Sequence, residues 1–242
     1  VSTRDLGLLL PVKRGLGAAW FADRRRTFNG LALSALGDNV GHAELAQGTA
    51  ASQPTALRDA IRFDGSNDSL ARAAFAATSA SARGLSIVFV VQGRSGSTGD
   101  FPPVLQCRPW IGNDNGWAIT ANGSGSSGVV VAYIGNGTSS AFINATRGIS
   151  TTQRELWAAV FDDVNDRITI YRNGQINARS SVTFPTGNSP TASFIIGADA
   201  ATTPLRVLAM DLYAAAIHTE PLTDREVATY WARWAPLYGV QP

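Results

Sequence analysis

The stretch Pro54–Leu70, PTALRDAIRFDGSNDSL, reads as one strand, a tight turn and the start of a second strand. Ile61, Phe63 and Leu70 supply an apolar side. The run Asp64–Asp68 supplies a glycine-centred reversal whose Asn and Asp side chains can bond to their own backbone. The spacing predicts a β-hairpin, and Asp64, Asn67 and Asp68 are turn chemistry rather than a site.

Downstream, strand signals recur at short intervals separated by Gly, Ser and Asn clusters, the pattern of a sandwich or barrel. Leu85–Val91 is apolar on both faces and predicts a central strand covered on two sides. Val104–Cys107, Trp117–Ala121, Val129–Ile134 and Ala141–Asn144 follow as shorter strands. Glu155–Phe161 then meets Arg167–Arg172 across the acidic turn Asp162–Asp166, and Asn173-Gly174 predicts a two-residue hairpin returning through Gln175–Arg179. Phe194–Gly197 and Val207–Ile217 complete the strands. Upstream, residues 16–48 read as a first strand followed by a long loop, and Arg24–Arg26 as a solvated turn.

Near the end the period changes. Thr223 with Glu226 three residues on predicts a capping box, and Val227, Tyr230, Trp231 and Trp234 fall at helical spacing on one side. A short helix should therefore lie against the sandwich. Residues 1–15 read as an arm, with an apolar patch at Leu8–Leu10, then Pro11 and the basic pair Lys13-Arg14. Leu6–Val12 is too short to span a membrane and lacks the order of a signal peptide, so the expectation is a product made in the cytoplasm without secretory export.

At 242 residues the chain fits one large β domain, here residues 16–242 behind the arm. A chain of this size buries roughly 70 to 75% of its extended surface, so its core needs no staples. The lone Cys107 can form no internal disulfide. A formal charge of +2 is too small to imply a nucleic-acid partner.

The runs QPT with IRFDGSNDSL, Trp157 to Gly174 with its YRNG turn, and the LTDREV helix start resemble the laminin-G-like and concanavalin A-like sandwich domains of phage and bacterial surface proteins. The resemblance covers roughly residues 16–239. It implies an all-β, two-sheet antiparallel jelly-roll sandwich with a short C-terminal helix. It also implies recognition of a glycan, or a structural role, more than catalysis. The expected setting is a virion or appendage surface: a head, tail-fibre or decoration protein. Its expected partners are a cell-surface or capsular polysaccharide and, through residues 1–15, other particle proteins, in an oligomer or array.

Glycoside hydrolysis needs two facing carboxyl groups, and relatives with this sandwich often carry them as E-x-D-x-x-E on one strand. No such run exists here; Glu44, Glu155, Glu220 and Glu226 are scattered. No G-x-S-x-G is present, and His42 and His218 lie far apart without ligand spacing, His218 reading as a surface or capping residue. The chain is therefore expected not to be an enzyme, the alternative being a polysaccharide-cleaving hydrolase or lyase.

Sugar-binding chemistry, aromatic faces with amide and carboxylate groups, concentrates in Asp100–Trp117. The candidate binding residues are Arg108, Trp110, Asn113, Asp114, Asn115 and Trp117, with Tyr133 on the next strand; Trp117 also reads as a core residue. Calcium, which the resemblance implies in rim loops, has its candidate ligands in Asp100 and Asp114, with a second oxygen-rich cluster at Asp162, Asp163, Asn165 and Asp166. Asn and Asp are equally ordinary turn formers.

Overall fold

The computed structural model describes residues 10–30, 32–40, 44–73, 84–97, 99–108, 115–121, 128–186, 192–199 and 206–242. Within them two antiparallel sheets face one another. In the first, β1 (Leu16–Phe21) lies along β17 (Ala209–His218), followed by β8 (Leu85–Gly93), β13 (Glu155–Asp162), β14 (Arg167–Arg172) and β15 (Gln175–Ser181). On the flank that β1 occupies, the start of β17 pairs with β6 (Ile61–Asp64), which continues to β5 (Thr55–Ala56).

The second sheet begins with β2 (Arg26–Asn29), β3 (Ala32–Leu36), β4 (Leu45–Ala46) and β7 (Leu70–Arg72). It continues through β16 (Phe194–Ile196), β9 (Pro103–Cys107), β10 (Gly116–Ala121), β11 (Val129–Gly135) and β12 (Ser140–Gly148). A single pairing of Ala32 with Thr55 joins the two sheets at one corner. This is the expected two-sheet sandwich.

Two expectations change. Residues 16–48 begin with the expected first strand, β1, but hold three further short strands, β2 to β4, where a long loop was expected; strands of two to five residues carry little period-2 signal. More tellingly, the strands on either side of Asp64–Asp68 do not pair with each other. β6 joins β17 in the first sheet, whereas β7 joins β16 and β4 in the second. The segment is a corner between sheets, and the hairpin lies one turn earlier, where the Leu57 N–H donates to the Ala60 carbonyl between β5 and β6.

Local chemistry explains the corner. Asp68 Oδ2 accepts the Asp64 N–H at 2.9 Å and Asp64 Oδ1 accepts the Ser66 N–H at 2.7 Å, so side chains satisfy the turn without a ladder. Gly65 sits at φ +84°, and an added Cβ would collide with the Gly96 carbonyl oxygen and stand 2.8 Å from the Ala209 Cβ. Ile61, Phe63 and Leu70 all enter the one inter-sheet core. Alternation registers that shared burial and is blind to whether the strands are neighbours or opposites.

The expected central strand is confirmed: β8 sends Leu85, Ile87, Phe89 and Val91 into the inter-sheet core and Val88 and Val90 to the opposite side. There they meet α1 (Asp224–Tyr238), which buries Val227, Tyr230, Trp234 and Tyr238. Trp231 is only half-buried, over the Asn173-Gly174 turn. That turn has φ of +51° and +77° at its two residues, as a type I′ hairpin requires. Thr223 and Glu226 form the expected capping box, and Gly239 ends the helix at φ +64°. Asp224, in the first turn, accepts a hydrogen bond from Tyr171 Oη at 2.6 Å and pairs with Arg179, which fastens the helix start to the sheet. Among the described residues no helix is long and apolar enough to cross a membrane.

Candidate functional site

Strand pairing places Gln106, Ala118, Tyr133 and Phe142 side by side across β9, β10, β11 and β12. Their neighbours Cys107, Trp117, Ile134 and Ile143 point into the core, so this row lies on the outer face of the second sheet. Phe142 is 57% exposed, unusual for an aromatic in mid-strand. Tyr133 beside it is half-buried, and the Arg108 guanidinium lies over its ring, 4.3 Å from the centroid. Asn144, two residues along from Phe142 on the same face, is exposed.

Together these make an aromatic step with an amide at its edge. Beyond it, Phe142, Ile143 and Asn144 line a cleft of about 310 Å³ with Ala178, Arg179 and Ser180 of β15. The interior end of the row is polar. Gln106 is fully buried and donates to the Ala198 carbonyl at 3.3 Å, while its Oε1, like the Tyr133 hydroxyl, has no hydrogen-bond partner among the described residues.

Of the residues singled out in the sequence, the structure brings Arg108 and Tyr133 together as a stacked pair. Trp117 is corrected: it is fully buried, tilted against Phe194 at 5.9 Å, and presents no surface to a ligand. Strand β10 alternates, and Trp117 falls on the inward parity while Ala118 falls outward. Asn115 is half-buried just before β10, and Asp100 is exposed beside Phe101, whose φ is +55°. Trp110, Asn113 and Asp114 lie outside the described residues. Phe142 was missed, although Ala141, Ile143 and Ala145 as inward positions would have turned it outward.

The second acidic cluster closes on itself. Asp162 accepts from the Asn165 N–H at 3.2 Å and side-chain amide at 2.8 Å and from Arg167 at 3.1 Å, and burial pushes the Asp163 carboxyl up. It lines a groove of about 700 Å³ shared with Arg14, Glu220, Asp224 and Arg225, where three arginines, counting Arg167, balance three carboxylates. Among the described residues no group of three or more His, Cys, Asp or Glu side chains is placed to hold a metal ion.

Three of the four glutamates are engaged as structural groups. Glu155 is fully buried against Arg172 and the Trp157 indole. Glu220 and Glu226 both pair with Arg14, and the Arg14 hydrogen bond holds the Glu226 carboxyl down at about 2. Glu44 is exposed. His218 is corrected from a surface residue to a fully buried one, its ring stacked edge-on against Tyr230.

A two-sheet antiparallel sandwich with a helix on its back and an aromatic face in front defines a lectin-type β-sandwich protein. The sequence matches the family described as the concanavalin A-like lectin/glucanase superfamily over residues 64–228, and the chain belongs to that family. No curated protein matches it in sequence.

Solved structures share the fold at low identity. The ligand-binding domain of botulinum neurotoxin serotype D, in complex with N-acetylneuraminic acid, aligns at TM-score 0.66 and 12% identity, over 93% of this chain and 52% of that one. The binding domain of Paraclostridial Mosquitocidal Protein 1 aligns at TM-score 0.63 and 14% identity, over 91% of this chain and 52% of that one. Trypanosoma rangeli sialidase aligns at TM-score 0.63 and 11% identity, over 90% of this chain and 33% of that one. The chain thus spans a third to a half of these proteins.

Proposed function

We propose that this chain is a non-catalytic recognition module that binds carbohydrate on the outer face of its second sheet. The observation that carries the reading is the exposed Phe142 beside the Arg108-stacked Tyr133. Sugars present C–H faces that pack on aromatic rings, while amides such as Asn144 take their hydroxyls. The family and two structural neighbours, one a mosquitocidal protein's binding domain and the other a neurotoxin's ligand-binding domain, support recognition as the role. The engagement of Glu155, Glu220 and Glu226 with arginines supports the absence of hydrolysis.

The setting we infer is the surface of a phage or phage-like particle, where many copies would convert a weak single site into useful avidity. The resemblance of its motifs to phage and bacterial surface domains supports this. The test is a glycan array probed with the native chain and with Phe142→Ala, alongside reducing-end and unsaturated-product assays on every glycan bound. Binding that is lost in Phe142→Ala, without product release, is expected. Product release, or binding indifferent to Phe142, overturns the reading.

A further inference from the structure

His218 closes β17 with an imidazole that is 0% exposed. Its Nδ1 lies 2.8 Å from the Arg14 carbonyl oxygen and its Nε2 lies 2.8 Å from the Tyr230 hydroxyl. A carbonyl oxygen only accepts, so Nδ1 carries the proton and Nε2 accepts from the tyrosine O–H. The ring is therefore a pin through three parts of the molecule: the N-terminal segment, β17 and α1.

Other bonds converge on the same junction. The Gly15 carbonyl accepts from the Thr219 N–H at 2.7 Å and the Thr219 hydroxyl at 3.1 Å. The Arg14 guanidinium reaches Glu220, Glu226 and the Pro221 carbonyl. Upstream, Leu10 and Val12 are buried in the apolar layer beneath α1. Residues 10–15 belong to no strand, so these contacts hold them in place.

We propose that His218 is the pin of an acid-released latch: neutral, it holds residues 10–15 against α1, and protonated, it lets that segment go. Protonation at Nε2 sets a donor against the Tyr230 hydroxyl. The hydroxyl must then turn its own hydrogen into an apolar surrounding, since Tyr230 is fully buried. The new cation also stands beside Arg14.

The groups facing the ring are Arg14 from the segment, Glu220 beyond the strand, and Glu226 and Tyr230 from the helix; β8 and β1 offer only Ser86 and Leu16. Both glutamates favour a cation but are already paired with Arg14. Burial is the largest influence and pushes the His218 imidazole below its ordinary value. The closed latch thus binds a proton less readily than the open one. Its stability is complete above the ordinary histidine range and declines as pH falls below it, with the opening constant rising up to about tenfold per pH unit until the ring titrates in place.

The test is hydrogen exchange by mass spectrometry on the full chain from pH 7.5 to 4.5, corrected for intrinsic rates. The amides of Leu16 and Thr219, which donate to the Lys13 and Gly15 carbonyls, should lose protection below about pH 6.5, while those of β8 and β13 keep theirs. His218→Gln should flatten this response. Tyr230→Phe, which keeps the ring packing and removes the donor to neutral Nε2, should lower the protection of the same amides already at pH 7.5 and leave a shallower dependence on pH. A flat profile in the native chain, an unchanged profile in His218→Gln, or simultaneous loss of protection throughout the sandwich overturns the proposal. Should His218→Gln not fold, unchanged protection of these amides at pH 7.5 in Tyr230→Phe overturns it as well.

Discussion

Replacing Glu155 with glutamine removes one charge and no volume, yet it is expected to cost about 3 to 5 kcal/mol of folding stability. Glu155 opens β13 with 0% exposure. Its Oε2 accepts from the Ser150 N–H and the Trp157 Nε1–H, each at 2.9 Å, and its Oε1 accepts from Arg172 Nε at 2.8 Å and from Nη2. All four groups, from three residues, are donors. A glutamine must turn its own NH₂ group toward one pair of them, either Arg172 or Ser150 with Trp157, and orphans that pair at about 1 to 3 kcal/mol per group. Arg172 keeps 24% of its side chain exposed, so water recovers part of the loss and the expected value is the lower end, about 3 kcal/mol. In a chain of this length that lowers Tm by about 6 to 12 °C. Urea titration and calorimetry of the two proteins measure it. A loss below about 1 kcal/mol would refute the view that this carboxylate is the hub of four donor contacts.

Other substitutions test other parts of the structure. Gly65→Ala must place a Cβ against Gly96 and Ala209 at φ +84°, and should destabilise by about 2 kcal/mol or more in urea unfolding, whereas a flexible corner would absorb it. Asp68 is pushed up to about 6 by burial, so the folded state holds its proton more tightly than the unfolded one. Stability is therefore lost as pH rises between about 4 and 6, and the advantage of Asp68→Asn over the native chain should grow across that window; a constant difference between the two unfolding curves contradicts it. Thr223→Ala removes one half of the capping box and should cost about 1 kcal/mol by thermal melting, with no change in glycan binding.

The elements most legible in the sequence are those whose signal is local. Asn173-Gly174 demands positive φ at two successive residues, which few other dipeptides accept, and Thr223 with Glu226 satisfies the helix start from within four residues. Leu85–Val91, apolar at every position but Ser86, reads as a strand covered on both faces. The candidate site was legible in part, because Arg108 and Tyr133 are of the right chemical type, but their stacking arises from the pairing of three strands.

Composition, turn chemistry and alternation thus specified an all-β sandwich with a closing helix, since those features act between residues close along the chain. Which strands are neighbours was settled by folding, because Ile61, Phe63 and Leu70 enter the same core whether their strands pair or face each other. Burial parity turned Trp117 inward and Phe142 outward. Long-range hydrogen bonds joined His218 to Arg14 and Tyr230, and no spacing in the sequence announces a contact between residues 204 positions apart.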